Sequence, residues 1–246
     1  VVSRAIYQEI KLGNGTKNGG VYLDITNKPL SYIKKRLPRM YLQFKKYCNI
    51  DISKERMEVG PTAHYSMGGI YVDHKTGKTS VDNLFAIGEV TGGIHGANRL
   101  GGNSLAEIIV FGKLTARNII KELKKNKFND LDKNLVNNKI KDFLKRLSNN
   151  GEDPLIIKKK IQELMWDKVG IVRNEKHMKE GLQELNKIKK IKLKTGLNLK
   201  NNKKLVAYLD VQSMIPTCEM IIKSALYRKE SRGAHFREDY PKTLKK

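Results

Sequence analysis

The sequence predicts a mixed α/β amino-terminal half followed by an antiparallel helical bundle. Three observations predict it. The apolar run LFAI at 84–87 is bounded by turn-forming residues and closed by Gly88, the pattern of a short buried strand in a parallel sheet. The stretch 103–125 carries apolar residues at helical spacing. Beyond 125 the pattern is purely helical, broken by short links that contain Asn, Gly and Pro, as in an up-down bundle.

Taken in order, residues 1–12 read as a helix ending at Gly13, then the turn-rich GNGTKNGG leads into an alternating strand, VYLDI, at 21–25. A helix is expected over 30–48, and strand-like pieces over 56–72 surround Gly68 and Gly69. TGKTSVDN makes a turn ahead of LFAI. The helix at 103–125 has a capping-box spacing, Ser104 and Glu107, and a face formed by Leu105, Ile108, Ile109, Gly112, Ala116, Ile119, Ile120 and Leu123. Four helices follow, over 132–148, 154–170, 174–191 and 203–229, with Trp166 expected as a core anchor between them.

At 246 residues and 39% hydrophobic content the chain can bury a real core. There is no apolar run of about 18 residues and no signal-peptide pattern at the start, so the chain is not expected to cross a membrane by itself. Cys48 and Cys218 stand far apart without metal-ligand or disulfide-framework spacing, so a reducing cytoplasm is expected and no metal site. Helical spacing from the first residue, with no capping residue before it, predicts that the natural start lies upstream.

The net charge of +24 raises nucleic acid as a partner. Its distribution argues otherwise: +7 over 1–63, +1 over 64–123 and +16 over 124–246. The motif-rich middle is nearly neutral, and the basic tail mixes lysine with Asn and Ile, with few aromatics on which bases could stack. Solvated helix faces are therefore expected, and no nucleic acid. The alternative of a basic helical module that grips nucleic acid or an acidic protein predicts salt-sensitive retention on duplex DNA.

Chemistry concentrates between 61 and 112. Thr79, then six residues, then Ala86, Gly88 and Glu89 put a carboxylate at the end of the expected strand, where open α/β sheets bind ligands. Arg99 can hold a carboxylate through two parallel hydrogen bonds. The glycines in RLGGN and the helix start at Ser104 offer backbone N–H groups and a positive dipole end to a negative ligand.

The blocks PTAHYSMGGI (61–70) and HGANRLGGNSLAEIIVFG (95–112), with VVSRAIYQEI, GGVYLDI, VGIVR and RKESRGAH in the same order, resemble the flavoprotein subunit of the fumarate reductase and succinate dehydrogenase family. The resemblance covers most of the chain. It implies the tail of a capping domain over 1–60, the carboxy-terminal segment of a Rossmann-like FAD-binding domain over 61–125, and a helical domain over 126–246. It implies FAD as cofactor, touched by His64, Tyr65, Gly88, Glu89, Arg99, Leu100, Gly101, Gly102, Asn103, Ser104 and Leu105. His64 and Arg99 are then the catalytic clamps on a fumarate- or succinate-type dicarboxylate, with hydride exchanged at flavin N5. The Gly68–Gly69 pair would leave room for flavin and substrate, and His95 would support the Arg99 loop. An iron–sulfur subunit is the implied partner, with membrane contact only through partners. The RKESRGAHFREDYP block is expected to be an ion-pair network fastening the helical domain to the flavin domain, or a surface for a partner subunit.

Some family features have no counterpart here. The proton-delivering Arg of an Arg-Asp pair belongs just ahead of VVS, and neither a G-x-G-x-x-G turn nor the histidine that carries covalent flavin is found. The 246 residues alone are therefore expected neither to retain FAD nor to reduce fumarate, and the EDYPKTLKK end suggests a compact form of the subunit. L-aspartate oxidase shares the HY-x-MGG, HGANRL and SRGAH-like blocks; GGNSL and LDVQSMI lean toward the reductase branch, including its thiol-dependent methanogen type.

Overall fold

The computed structural model describes residues 2–124 and 131–245. The predicted helix end at 125 and the start of the expected helical domain at 126–130 lie outside the described residues. The chain divides into two compact units, Val1–His64 and Tyr65–Lys246.

In the first unit α1 (Val2–Lys11) buries Tyr7 and ends at Gly13, whose φ of 87° is a left-handed turn that glycine adopts freely. The strands β1 (Val21–Leu23) and β2 (Met57–Val59) pair antiparallel, with Val21 opposite Val59 and Leu23 opposite Met57. The expected helix over 30–48 is broken. Its pieces are α2 (Leu30–Arg36), α3 (Pro38–Gln43) and one π-type turn, Phe44–Cys48. The break falls on Leu37, at φ −132° and ψ 48°, because the ring of the following proline pushes the preceding residue out of the helical region. Ile33, Tyr41, Ile52 and Met57 form the core of this unit, with Ile25, Phe44, Ile50 and Val59 packed around them.

The second unit opens with irregular chain through residue 102. The expected strand at 84–87 does not form among the described residues. Phe85 makes a single antiparallel bridge to Lys78, while Leu84 and Ile87 stay 48% and 38% exposed. A strand of a parallel sheet needs a neighbouring strand to pair with, and no described strand runs beside this segment. Gly88–Val90 instead form a 3-10 turn. A parallel bridge joins Ile70 to Thr91, and a side chain on Gly69 would meet the Val90 carbonyl at 2.1 Å. Gly69 is thus required for this chain crossing, whereas around Gly68 the space is open.

Helix α4 (Asn103–Leu123) has Gly102 at its amino end in the left-handed region, with no side-chain cap. The expected capping box is not formed. Glu107 is buried and turned to other partners, and the other buried residue of α4 is Thr115, which lies against Gly77. Most of the predicted apolar face, Leu105, Ile108, Ile109, Ile120 and Leu123 included, is exposed.

The later helices start where an acceptor side chain caps them. Asp132 accepts from the Asn134 and Leu135 N–H groups ahead of α5 (Lys133–Leu144). Asp153 accepts from Leu155 N–H, with Pro154 in the first turn of α6 (Pro154–Val169). Asn174 caps α7 (Glu175–Ile188) and Asn202 caps α8 (Lys203–Tyr227). These caps occupy backbone donors that helix geometry leaves free. Helices α6, α7 and α8 pack on one another around Ile157, Ile161, Met178, Leu185, Val211 and Ile222, while α5 buries no residue. The bundle core is therefore three helices, and Trp166 is half-buried rather than central. By length and composition α8 could span a membrane; here it lays Val211, Ile215, Cys218 and Ile222 into this core.

Candidate functional site

In the second unit two side chains, Tyr65 and His95, meet at the Glu107 carboxylate, and a third, Arg99, lies on Tyr65. Glu107 projects from the first turns of α4 and is 5% exposed. Its Oε2 accepts from the Tyr65 hydroxyl at 3.2 Å and is 2.8 Å from His95 Nε2. An ionised carboxylate only accepts, which assigns the ring hydrogen to Nε2. The Tyr65 and His95 rings meet edge to face at 5.5 Å and 82°, a favoured aromatic geometry.

Arg99 lies on this assembly. Its guanidinium carbon is 4.5 Å from the centroid of the Tyr65 ring, in cation–π range. One Nη donates to the Leu100 carbonyl at 3.0 Å, and the buried Nε–H has no hydrogen-bond partner. Among the described residues no carboxylate pairs with Arg99. Buried N–H groups are almost always satisfied, so this donor is the signature of a place where an acceptor is expected to sit.

Tyr65 is half-buried. Burial first, then the Glu107 and Glu89 carboxylates, push its phenol above the usual tyrosine range, while Arg99 pulls the other way. The hydroxyl therefore stays protonated and donates. Glu89, exposed in its 3-10 turn, accepts the Ser66 N–H at 2.8 Å, which ties the end of the LFAI segment to the chain just after Tyr65. Gly88 precedes it, buried and at φ 77°, with Ile108 of α4 against it.

The remaining expected site residues form the approach to α4. Leu100 is 69% exposed and Leu105 65%. Gly101 and Gly102 face open space where a Cβ would stand, and Asn103 and Ser104 begin the helix. His64 is the last residue of the first unit and its side chain is exposed. The structure thus brings Tyr65 and Arg99 together directly, and joins Tyr65 to His95 and Glu107.

Glu107 is the residue sequence reasoning misassigned. Its signal was present: it is the single acid in the apolar run LAEIIVFG, and a lone charge within an apolar stripe requires a buried partner.

These features suit the flavin implied by the resemblance. Glycines 101 and 102 would let a planar group approach the main chain. The start of α4 has no side-chain cap and presents the positive end of a helix dipole, with the Asn103 and Leu105 N–H groups turned back to the Leu100 and Gly102 carbonyls. The buried Nε–H of Arg99, without a partner of its own, is a further donor in the same loop.

The motif block near the carboxy terminus is a joint. The Arg237 guanidinium is fully buried, bonded to both oxygens of Asp239 at 2.7 Å and to the Ala225 carbonyl at 2.9 Å. Arg228 and Arg232 both pair with Glu230, holding its carboxyl well below the usual range at about 2, with the Arg232 hydrogen bond the largest cause. Arg173 donates to His235 Nδ1 at 2.9 Å and to the Val169 and Gly170 carbonyls. These polar contacts stay within the helical part. The link to the HGANR segment is made by backbone: Ala234 N–H donates to the Ala97 carbonyl at 3.1 Å, and Gly233 lies so close that a Cβ would meet that carbonyl oxygen at 2.4 Å. The expected ion-pair fastening is thereby corrected, because direct chain contact leaves no room for long charged side chains.

Comparison with known proteins agrees in order and extent. The family described as FAD binding domain matches residues 1–105, and that described as Fumarate reductase flavoprotein C-term matches 158–246. A chain of the fumarate reductase (CoM/CoB) of Methanothermobacter marburgensis is 40% identical over 245 residues, spanning 99% of this chain and 44% of that protein. L-aspartate oxidase of Yersinia pestis is 35% identical over 250 residues, with 98% and 43% covered. Mycobacterium smegmatis Sdh1 in complex with UQ1 superimposes with a TM-score of 0.91 at 39% identity, over 98% of this chain and 41% of the other. The chain spans less than half the length of these relatives.

Proposed function

As this chain belongs to the flavoprotein family of fumarate reductase, succinate dehydrogenase and L-aspartate oxidase, we propose that it supplies the dicarboxylate-binding half of an FAD-dependent oxidoreductase interconverting fumarate and succinate. The observation that carries this reading is Arg99, a half-buried cation whose buried Nε–H has no hydrogen-bond partner and which has no carboxylate partner among the described residues. A guanidinium in that state binds a carboxylate by paired hydrogen bonds in one orientation. His64 acts as the second clamp at the other end of the diacid. Two clamps fix the reacting carbon in space, and fixed positive charge favours the electron-rich carboxylate as it is polarised.

FAD, when bound, supplies the hydride-exchanging centre. Gly101, Gly102, Asn103, Ser104 and Leu105 would hold its ring, Glu89 its sugar-like chain, and Gly88, Tyr65, Leu100, Arg99 and His64 its remaining surroundings. In this reading 1–60 is the tail of a lid domain, 61–125 the flavin segment and 126–246 the helical domain. The 246 residues alone neither retain FAD nor turn over, since no glycine fingerprint for the pyrophosphate and no proton-shuttle arginine occur in them. An iron–sulfur subunit is the partner, and the protein sits in the cytoplasm, reaching a membrane only through partners.

The test is an assay of the full-length, FAD-loaded protein with fumarate, succinate and L-aspartate side by side. Bleaching of a reduced viologen dye on fumarate addition is expected, with no oxidation of aspartate. Aspartate oxidation as the main activity would favour the oxidase reading, which the 35% identity to L-aspartate oxidase keeps in view.

A further inference from the structure

We propose that Glu107 is the positioning residue of this site, its buried carboxylate holding the Tyr65 hydroxyl and the His95 ring and so fixing the aromatic face on which the Arg99 guanidinium lies. The inference rests on Arg99 as the carboxylate-receiving residue.

The geometry leaves Arg99 few restraints of its own. Its hydrogen bond to the Leu100 carbonyl joins it to the next residue in the chain, and no carboxylate among the described residues orients it. The Tyr65 ring, 4.5 Å away, is the surface that sets the plane of the guanidinium. That ring is held at its far end by Glu107 Oε2 and on its edge by His95, which is itself held by the same oxygen. One oxygen atom thus ties three segments: the chain after His64, the loop that carries Arg99, and the first turns of α4. Side chains of 42 and 12 residues' separation from Glu107 converge there. One carboxylate oxygen takes both donors; the carbonyl oxygen of a glutamine also has two lone pairs and can take both, so leucine is the substitution that cuts both bonds. The burial of Tyr65 and the neighbouring carboxylate that raise its phenol keep the hydroxyl a donor.

Glu107 does not touch the bound carboxylate, so its effect is on the placement of Arg99. A displacement of about 1 Å in a clamping group costs on the order of 10- to 100-fold. The test measures succinate affinity in the full-length, FAD-loaded flavoprotein from the flavin difference spectrum, with FAD occupancy and thermal midpoint recorded alongside. Glu107→Leu is expected to weaken succinate on the order of 10- to 100-fold while FAD occupancy is retained. Tyr65→Phe is expected to lose less, and to add nothing further in the Glu107→Leu background, because that link is already cut. Wild-type affinity in Glu107→Leu, or losses that multiply in the double variant, would overturn the proposal. If Glu107→Leu does not fold, Tyr65→Phe and His95→Phe carry the test, each cutting one bond to the same oxygen. Both weaken succinate with coupled losses if the proposal holds, and neither does if it fails.

Absence of any succinate-dependent spectrum in the unaltered protein would instead mean that the dicarboxylate reading has failed. Glu107 is then judged by the phenol titration of Tyr65, followed by 13C-tyrosine resonances assigned with Tyr65→Phe. Removing the neighbouring charge lowers that titration toward the usual range if the tie exists, and leaves it unmoved if it does not.

Discussion

Arg99 and Tyr65 are stacked, guanidinium carbon to ring centroid, at 4.5 Å. This contact makes the tyrosine ring a platform for the cation that receives a carboxylate. Replacing Tyr65 by Leu keeps the apolar volume and removes the π face. Cation–π contacts contribute about 0.5–2 kcal/mol, so succinate binding to the FAD-loaded protein is expected to weaken roughly 2- to 30-fold. Isothermal titration checks it, and an unchanged affinity would show that the stack has no part in binding.

Arg237 is buried completely and neutralised by Asp239. Asp239→Asn removes the countercharge and leaves the guanidinium in place. Breaking a buried pair by deleting one partner costs about 3 kcal/mol, somewhat less here because Asp239 itself is 29% exposed. A urea titration should show the midpoint falling by a corresponding amount, with α8 and the final residues loosening together.

Acid is expected to loosen the same joint in two stages. His235 is held below its ordinary 6.5, by burial first and then by Arg173, so it contributes stability above 6.5 that is lost as pH falls below that value. Glu230 is lowered from 4.5 to about 2, so its contribution is full above 4.5 and lost on the way down to about 2. The protection factors of the Ser231, Arg232 and His235 amides, all bonded within this loop, should fall in two steps, below pH 6.5 and again below 4.5. Protection that is flat from pH 7 to 3 would contradict it.

Gly233 stands at φ 60° with the Ala97 carbonyl where a side chain would begin. Gly233→Ala combines a disfavoured backbone conformation with a steric clash, each of order 1–3 kcal/mol. The expected result is a joint that opens, seen as new protease cleavage near 231–236 while the α6–α8 core keeps its protection.

The carboxy-terminal helices were legible because two signals agree in them. Apolar residues recur at helical spacing, and an Asn, Asp or Pro stands where each helix begins. The break at Leu37 was also written, in Pro38, but a continuous apolar pattern masked it. Residues 84–87 misled for a physical reason: a short apolar run is the same whether neighbouring strands cover it or not, and no described strand does. Ser104 and Glu107 had the spacing of a capping box, yet spacing cannot reveal that Tyr65 and His95 lie nearer than the backbone N–H group at the start of α4. Of the site, Arg99 and Tyr65 could be read from their blocks. The Glu107 oxygen that joins Tyr65 to His95 is a property of the folded chain alone.

The most direct measurement is a succinate titration of the full-length, FAD-loaded protein beside its Arg99→Lys variant, followed through the flavin spectrum. Lysine keeps the charge and loses the planar fork. Hydrogen bonds to charged groups contribute about 1.5–3 kcal/mol, so affinity is expected to fall roughly 10- to 100-fold with FAD still bound. A lysine variant that binds succinate as tightly as the unaltered protein would contradict the assignment of Arg99 as the carboxylate clamp.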